Sequence, residues 1–134
     1  MIFIGLGSNI GDKKANIETA LQLLATKKIT ILRVASMYEN AAWGVLNQDD
    51  FVNTVAEVAF EGSAEELLHI LLETEIEMGR VRIQKWGPRL IDIDIIDFHR
   101  QVIENEFITI PHPYYTQRDF VMIPLHELEP KWEI

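Results

Sequence analysis

The sequence predicts an α+β fold, one antiparallel sheet with helices packed on one face. Three observations predict it. Short apolar or alternating stretches of strand length occur at four places, and two amphipathic helical patterns with capping residues fall between them. The 134 residues contain no repeat, linker or low-complexity tract, so a single domain spanning 1–134 is expected. At 48% apolar and 25% charged, such a chain can bury a core without cross-links.

Ile2 to Ser8 reads as a short apolar strand, ended by the turn residues Ser8-Asn9-Ile10-Gly11. From Asp12, a suitable N-cap, the pattern turns helical: Ile17, Leu21 and Leu24 share a stripe with Ala20. Lys27-Lys28 closes that helix where cations suit the dipole. Ile29 to Tyr38 predicts a second strand, and Glu39 to Asp50 a loop broken at Gly44. Phe51 to Phe60 predicts a third strand, with Phe51, Asn53 and Val55 on one face and Val52, Thr54 and Ala56 on the other. Ser63-Ala64-Glu65-Glu66 is a capping box, and Leu68, Leu72 and Ile76 continue its helix to Gly79. After a basic loop, Leu90 to Phe98 predicts a fourth strand. A hairpin-like stretch from Val102 to Ile110 and a final helical turn near Tyr115 to Met122 follow, punctuated by Pro111, Pro113 and Pro124. The order β-α-β-β-α-β is that of the split βαβ, ferredoxin-like sandwich, here with an additional C-terminal hairpin and short helix. That fold hosts many activities, so function has to come from a site.

Composition narrows the classes. No cysteine is present, which excludes disulfide scaffolds, thiolate zinc sites and cysteine nucleophiles. Net charge is −9, against general binding to nucleic acid or anionic membrane. The first residues lack the basic lead of a signal peptide, and no stretch reaches the roughly 18 apolar residues of a membrane helix. The expectation is a soluble, cytoplasmic monomer. Charge is unevenly laid out: no Lys or Arg lies between Arg33 and Arg80, and then Arg80, Arg82, Lys85 and Arg89 arrive just ahead of Asp92 and Asp94. Cations beside a carboxylate pair suit a polyanion with a metal; a loop pairing with the acidic helix before it would look the same.

Asp92 and Asp94 stand two apart on a strand, so both carboxylates share a face about 6–7 Å apart. One or two Mg²⁺ ions would relieve their mutual repulsion; a solvent-facing side of an edge strand would also accommodate them. Arg80, Arg82 and Arg89 offer planar forks for phosphate oxygens, and Trp86 sits in a turn with Gly87-Pro88 where it could stack or pin the loop. His112 and Arg118 could add phosphate contacts. Asn53 could read the mixed edge of a heterocycle between Phe51 and Phe120, or be one satisfied amide in a buried strand. Gly5-Leu6-Gly7-Ser8-Asn9-Ile10-Gly11 lacks the acidic ribose partner of a dinucleotide loop and the Lys of a P-loop, and reads as a turn device.

Together these motifs resemble the 6-hydroxymethyl-7,8-dihydropterin pyrophosphokinases of folate biosynthesis. The resemblance runs in order through Gly5-Leu6-Gly7-Ser8-Asn9, Tyr38, Trp43-Gly44, Gln48, Phe51-Val52-Asn53, Glu75 and Gly79-Arg80-Val81-Arg82. It continues through Trp86-Gly87-Pro88-Arg89-Leu90-Ile91-Asp92-Ile93-Asp94, Ile110-Pro111-His112-Pro113, Arg118-Asp119-Phe120 and Pro124-Leu125. It implies transfer of the β,γ-diphosphate of ATP to the pterin hydroxymethyl oxygen, with release of AMP. By resemblance, Asp92 and Asp94 would hold two Mg²⁺ ions, and Arg80, Arg82 and Arg89 would complete the catalytic group. The pterin would meet Asn40, Ala41, Trp43, Phe51, Asn53, Asp92 and Phe120. ATP would meet Glu75, Arg80, Arg82, Trp86, Arg89, Ile95, Thr109, His112 and Arg118.

The chain departs from the usual pattern at Ala41 and Ala42, where prolines are common, and at Ile83, in a loop about one residue short. Leu72 replaces a common glutamine, Phe107 a common arginine, and Pro113 a tyrosine of some members. These positions bear on ATP affinity and loop closure rather than on the metal and phosphate core. Two other readings stand beside an active enzyme: a degenerate paralogue that binds a pterin or nucleotide without transfer, and a ferredoxin-like regulatory module that acts through a partner on an exposed apolar patch.

Overall fold

The computed structural model describes residues 1–40, 50–79 and 90–133. Its elements run β1 (Ile2–Ser8), α1 (Lys13–Ala25), β2 (Thr30–Val34), β3 (Tyr38–Asn40), β4 (Phe51–Ala59), α2 (Ala64–Glu77) and β5 (Asp92–Phe98). A hairpin of β6 (Ile103–Glu104) and β7 (Thr109–Ile110), a 3-10 turn (Tyr115–Gln117) and α3 (Asp119–Leu128) complete it. The α+β class is as expected. The main sheet has the order β2-β4-β1-β5, and β3 also pairs with β4. Its described pairings are all antiparallel, so each long crossover through a helix skips over an intervening strand.

Local chemistry sets the helix starts. Asp12 caps α1 by accepting from the Ala15 N–H at 3.2 Å. Ser63 and Glu66 close the capping box of α2 at 3.1 Å in both directions. The end of α1 differs from expectation: the helix stops at Ala25, and Lys28 takes φ +67° beyond it. Lys27 does not serve the dipole but pairs with Glu77 of α2 at 2.6 Å.

The continuous strand expected from Ile29 to Tyr38 is two strands. Val34 lies opposite Ala56 and Tyr38 opposite Asn53, so one residue too many must be absorbed between them. The Thr54 hydroxyl donates to the Ala35 carbonyl at 2.8 Å, while Glu127 of α3 accepts from the Ser36 N–H and hydroxyl. Side chains thus take the backbone groups that a ladder would have used.

Two cores flank the sheet. On one face Ile2, Ile4, Leu6, Val52, Ala56, Ile93 and Ile95 meet Ile17, Ala20 and Leu24 of α1 and Ala64, Leu67 and Leu71 of α2. Leu72 and Ile76, which continued the helical pattern of α2, are exposed, and Thr74 and Glu75 are buried instead. On the other face Phe3, Val55 and Ile96 meet Tyr115, Val121, Leu125, Leu128 and Trp132. Helices therefore cover both faces, against the expectation of one. The final helix is also longer and later than expected, and it runs through Pro124, which is buried. Burial of its neighbours Val121, Leu125 and Leu128 outweighs the lost N–H at that position.

Candidate active site

The second core fills only one end of its face. At the other end the strands carry, in register, Tyr38 of β3, Asn53 of β4, Gly7 of β1 and Asp92 of β5. Paired residues in an antiparallel sheet share a face, so this row is a shelf with a glycine in its middle. The next row runs Val55, Gly5 and Asp94. A Cβ on Gly7 would lie 2.4 Å from Asn53 Oδ1 and 3.8 Å from the Phe51 ring, so the carboxamide leans over the space a side chain would fill. A Cβ on Gly5 would lie 3.1 Å from Ile96 Cδ1. Both glycines therefore serve close approach within β1. Of the glycine run read as a turn device, only Gly11, at φ +67°, does turn work.

Asp92 is half-buried and Asp94 exposed, while Ile91, Ile93 and Ile95 point into the opposite core. Period two thus puts both carboxylates on the shelf face, as expected. Two hard oxygen donors beside backbone without side chains leave room for a divalent cation that completes its shell with water or substrate oxygens. Among the described residues no three His, Asp or Glu converge as a ready-made cage.

Phe51 and Phe120 are half-buried, Phe120 at the start of α3 with the Arg118 guanidinium 5.5 Å from its ring centre. The His112 N–H donates to the Ile96 carbonyl at 3.0 Å, which ties the segment after β7 to β5. Its Nδ1 is shut from solvent, with no hydrogen-bond partner among the described residues. Burial first, and the nearby Arg118 charge second, hold this imidazole below its ordinary pKa, so it is neutral at pH 7. A histidine whose pKa is depressed by folding costs stability when it must take a proton. Stability is then full above the unfolded value of 6.5 and declines as pH falls below it. Thermal unfolding at pH 7.5 and 5.0 should show this loss, smaller in His112→Gln. Equal losses in both proteins would remove His112 as the cause. Glu127, held low by the Ser36 hydroxyl and N–H, titrates below 4.5 and leaves that window clear.

Glu75 is buried beneath β5, where its Oε1 accepts from the Ile93 N–H at 2.9 Å. The Ile95 side chain is in the helix-side core, so only its backbone at the sheet edge could meet a ligand. Thr109 is exposed on β7. Asn40 closes β3 opposite Phe51, and its side chain, with Ala41, Trp43, Arg80, Arg82, Trp86 and Arg89, lies outside the described residues. Tyr38 was not picked as a site residue from sequence. Its place in the Asn53–Gly7–Asp92 row follows from pairing between β3 and β4, and its only sequence signal was membership of the resemblance.

The class that fold and shelf define is an α+β domain presenting an acidic pair and a carboxamide around a glycine floor. Comparison with known proteins makes this particular. Residues 3–130 match the family described as 7,8-dihydro-6-hydroxymethylpterin-pyrophosphokinase (HPPK), and the chain belongs to that family. It is 40% identical over 129 residues to the 2-amino-4-hydroxy-6-hydroxymethyldihydropteridine pyrophosphokinase of Aquifex aeolicus, covering 96% of this chain and 80% of that protein. The enzyme of the same name from Methylorubrum extorquens is 38% identical, covering 96% and 82%. The folic acid synthesis protein FOL1 of Dictyostelium discoideum is 36% identical over 132 residues, 98% of this chain but 20% of that much longer protein.

Proposed function

We propose that the chain transfers the diphosphate of ATP to the hydroxymethyl group of 6-hydroxymethyl-7,8-dihydropterin, releasing AMP, in tetrahydrofolate biosynthesis. The observation that carries this is family membership across residues 3–130, with Asp92 and Asp94 on one face next to Asn53 over Gly7. The pterin hydroxyl oxygen bonds to the β-phosphorus while the bond from that phosphorus to the α,β-bridging oxygen breaks. AMP leaves with the electron pair, and the hydroxyl proton is lost to water.

Asn53 presents its carboxamide to the pterin edge, with Phe51 and Phe120 to cover its faces and Asn40, Ala41 and Trp43 beside it. Asp92 and Asp94 would hold Mg²⁺, two ions in this reading, which when bound neutralises phosphate charge and acidifies the attacking hydroxyl. Neutral His112 can meet a phosphate or ribose group only as a hydrogen-bonding partner, leaving Arg118 as the charge beside it. Arg80, Arg82 and Arg89 bind the transferring phosphates in this reading, and Trp86 shields them from water. In this reading Ile95 and Thr109 lie near the adenosine, and Glu75 completes the ATP set. Among the described residues no helix is long and apolar enough to cross a membrane. We place the enzyme in the cytoplasm as a monomer, with no nucleic-acid partner.

The direct test supplies ATP and Mg²⁺ with and without the pterin and separates the nucleotide products. Pterin-dependent AMP without ADP is expected. Absence of AMP in the presence of measurable pterin or nucleotide binding would reject catalysis.

A further inference from the structure

Ile93 stands between Asp92 and Asp94, its side chain in the helix-side core and theirs on the shelf face. It belongs to β5, the edge strand of the sheet among the described residues, where every second peptide group turns away from β1. An outward N–H at an edge has no ladder partner. That of Ile93 donates instead to Glu75 Oε1 at 2.9 Å. Glu75 is 3% exposed and stands in the last turn of α2, beside Leu71 and Thr74 on the face turned to the sheet. Both placements are unfavourable for a carboxylate: burial removes its water, and the C-terminal end of a helix repels negative charge.

We infer that Glu75 is a positioning residue for the acidic pair. By holding the Ile93 N–H, in the peptide that links Asp92 to Ile93, it sets the local pleat of β5 between the two acids. It thereby fixes the spacing and aim of the two carboxylates and of the divalent cation they share. The role in turnover rests on the proposed diphosphate transfer; the hydrogen bond and its effect on cation binding do not. The resemblance alone would set this side chain against ATP, whereas here one carboxylate oxygen is engaged by the strand that carries the acids.

Two conservative variants separate reach from charge. Glu75→Gln keeps an acceptor at the same distance and drops the charge, while Glu75→Asp keeps the charge and falls one methylene short. The readouts are exchange protection of the Ile93 amide by NMR and Mn²⁺ affinity by relaxation enhancement in the presence of α,β-methylene-ATP. Neither needs turnover. In Glu75→Gln the amide stays protected and Mn²⁺ affinity stays within about threefold of the parent. In Glu75→Asp protection is lost and Mn²⁺ affinity falls about 10- to 100-fold, the range typical of groups that orient metal ligands. Loss of protection in Glu75→Asp with unchanged Mn²⁺ affinity would reduce the bond to a structural one. Weakened Mn²⁺ binding in Glu75→Gln with the amide still protected would show that charge, not position, matters. The expected pattern in a chain that forms no pterin-dependent AMP would sustain the positioning role and reject diphosphate transfer.

Discussion

Asp94→Ala lowers kcat for AMP formation by about 10³-fold or more, the scale of removing a group that stabilises transition-state charge, while pterin affinity stays within a few-fold. The geometry separates the two effects. Asp94 is exposed at the Val55–Gly5 row, one step along β5 from the row that carries Asn53 and Gly7. Its loss therefore leaves the carboxamide shelf intact. Asp94→Asn, of the same size, should be nearly as inactive, because what is lost is charge for a cation. Steady-state AMP release and pterin titration by fluorescence quenching measure the two arms. Parallel losses in kcat and in pterin affinity would mean that Asp94 shapes the pterin pocket instead.

The second large effect is expected from one methyl group. Gly7→Ala places a Cβ where it would lie 2.4 Å from Asn53 Oδ1, too close to be absorbed without moving the carboxamide. Overpacking of this kind costs about 1–3 kcal/mol of stability. A displaced donor and acceptor pair should raise the pterin KM by about tenfold or more, as loss of one or two hydrogen bonds would. The double variant Gly7→Ala with Asn53→Ala separates the contributions: removing the carboxamide relieves the clash, so stability recovers while pterin affinity does not. Stability that remains low in the double variant would locate the strain elsewhere in β1.

What could be read from the chain was local. A capping residue and the group it bonds lie three residues apart, so Asp12 and the Ser63–Glu66 box marked their helices directly. Alternation needs only neighbours in sequence, and it put Asp92 and Asp94 on one face. It did not tell which side of α2 would be buried. The spacing of Leu68, Leu72 and Ile76 extended the helix correctly, but β5 packs against the face that bears Leu71, Thr74 and Glu75. Likewise Pro124 read as a helix stop because the hydrogen-bond loss is local, whereas the burial that overrides it comes from β1, β4 and β5.

By itself the sequence determined an α+β domain, its family through an ordered set of motifs, and the pairing of two carboxylates on a strand. Only the tertiary structure decided that β3 would break away from β2, that α3 would cover the second face, and that Glu75 would bond the strand between the acids. It also decided that Tyr38, Asn53, Gly7 and Asp92 would form one row. The reason is the range of the interactions. Caps and alternation act within a few residues, but strand register is set by pairing across dozens of residues, and a slip of one position would turn each of these side chains to the other face.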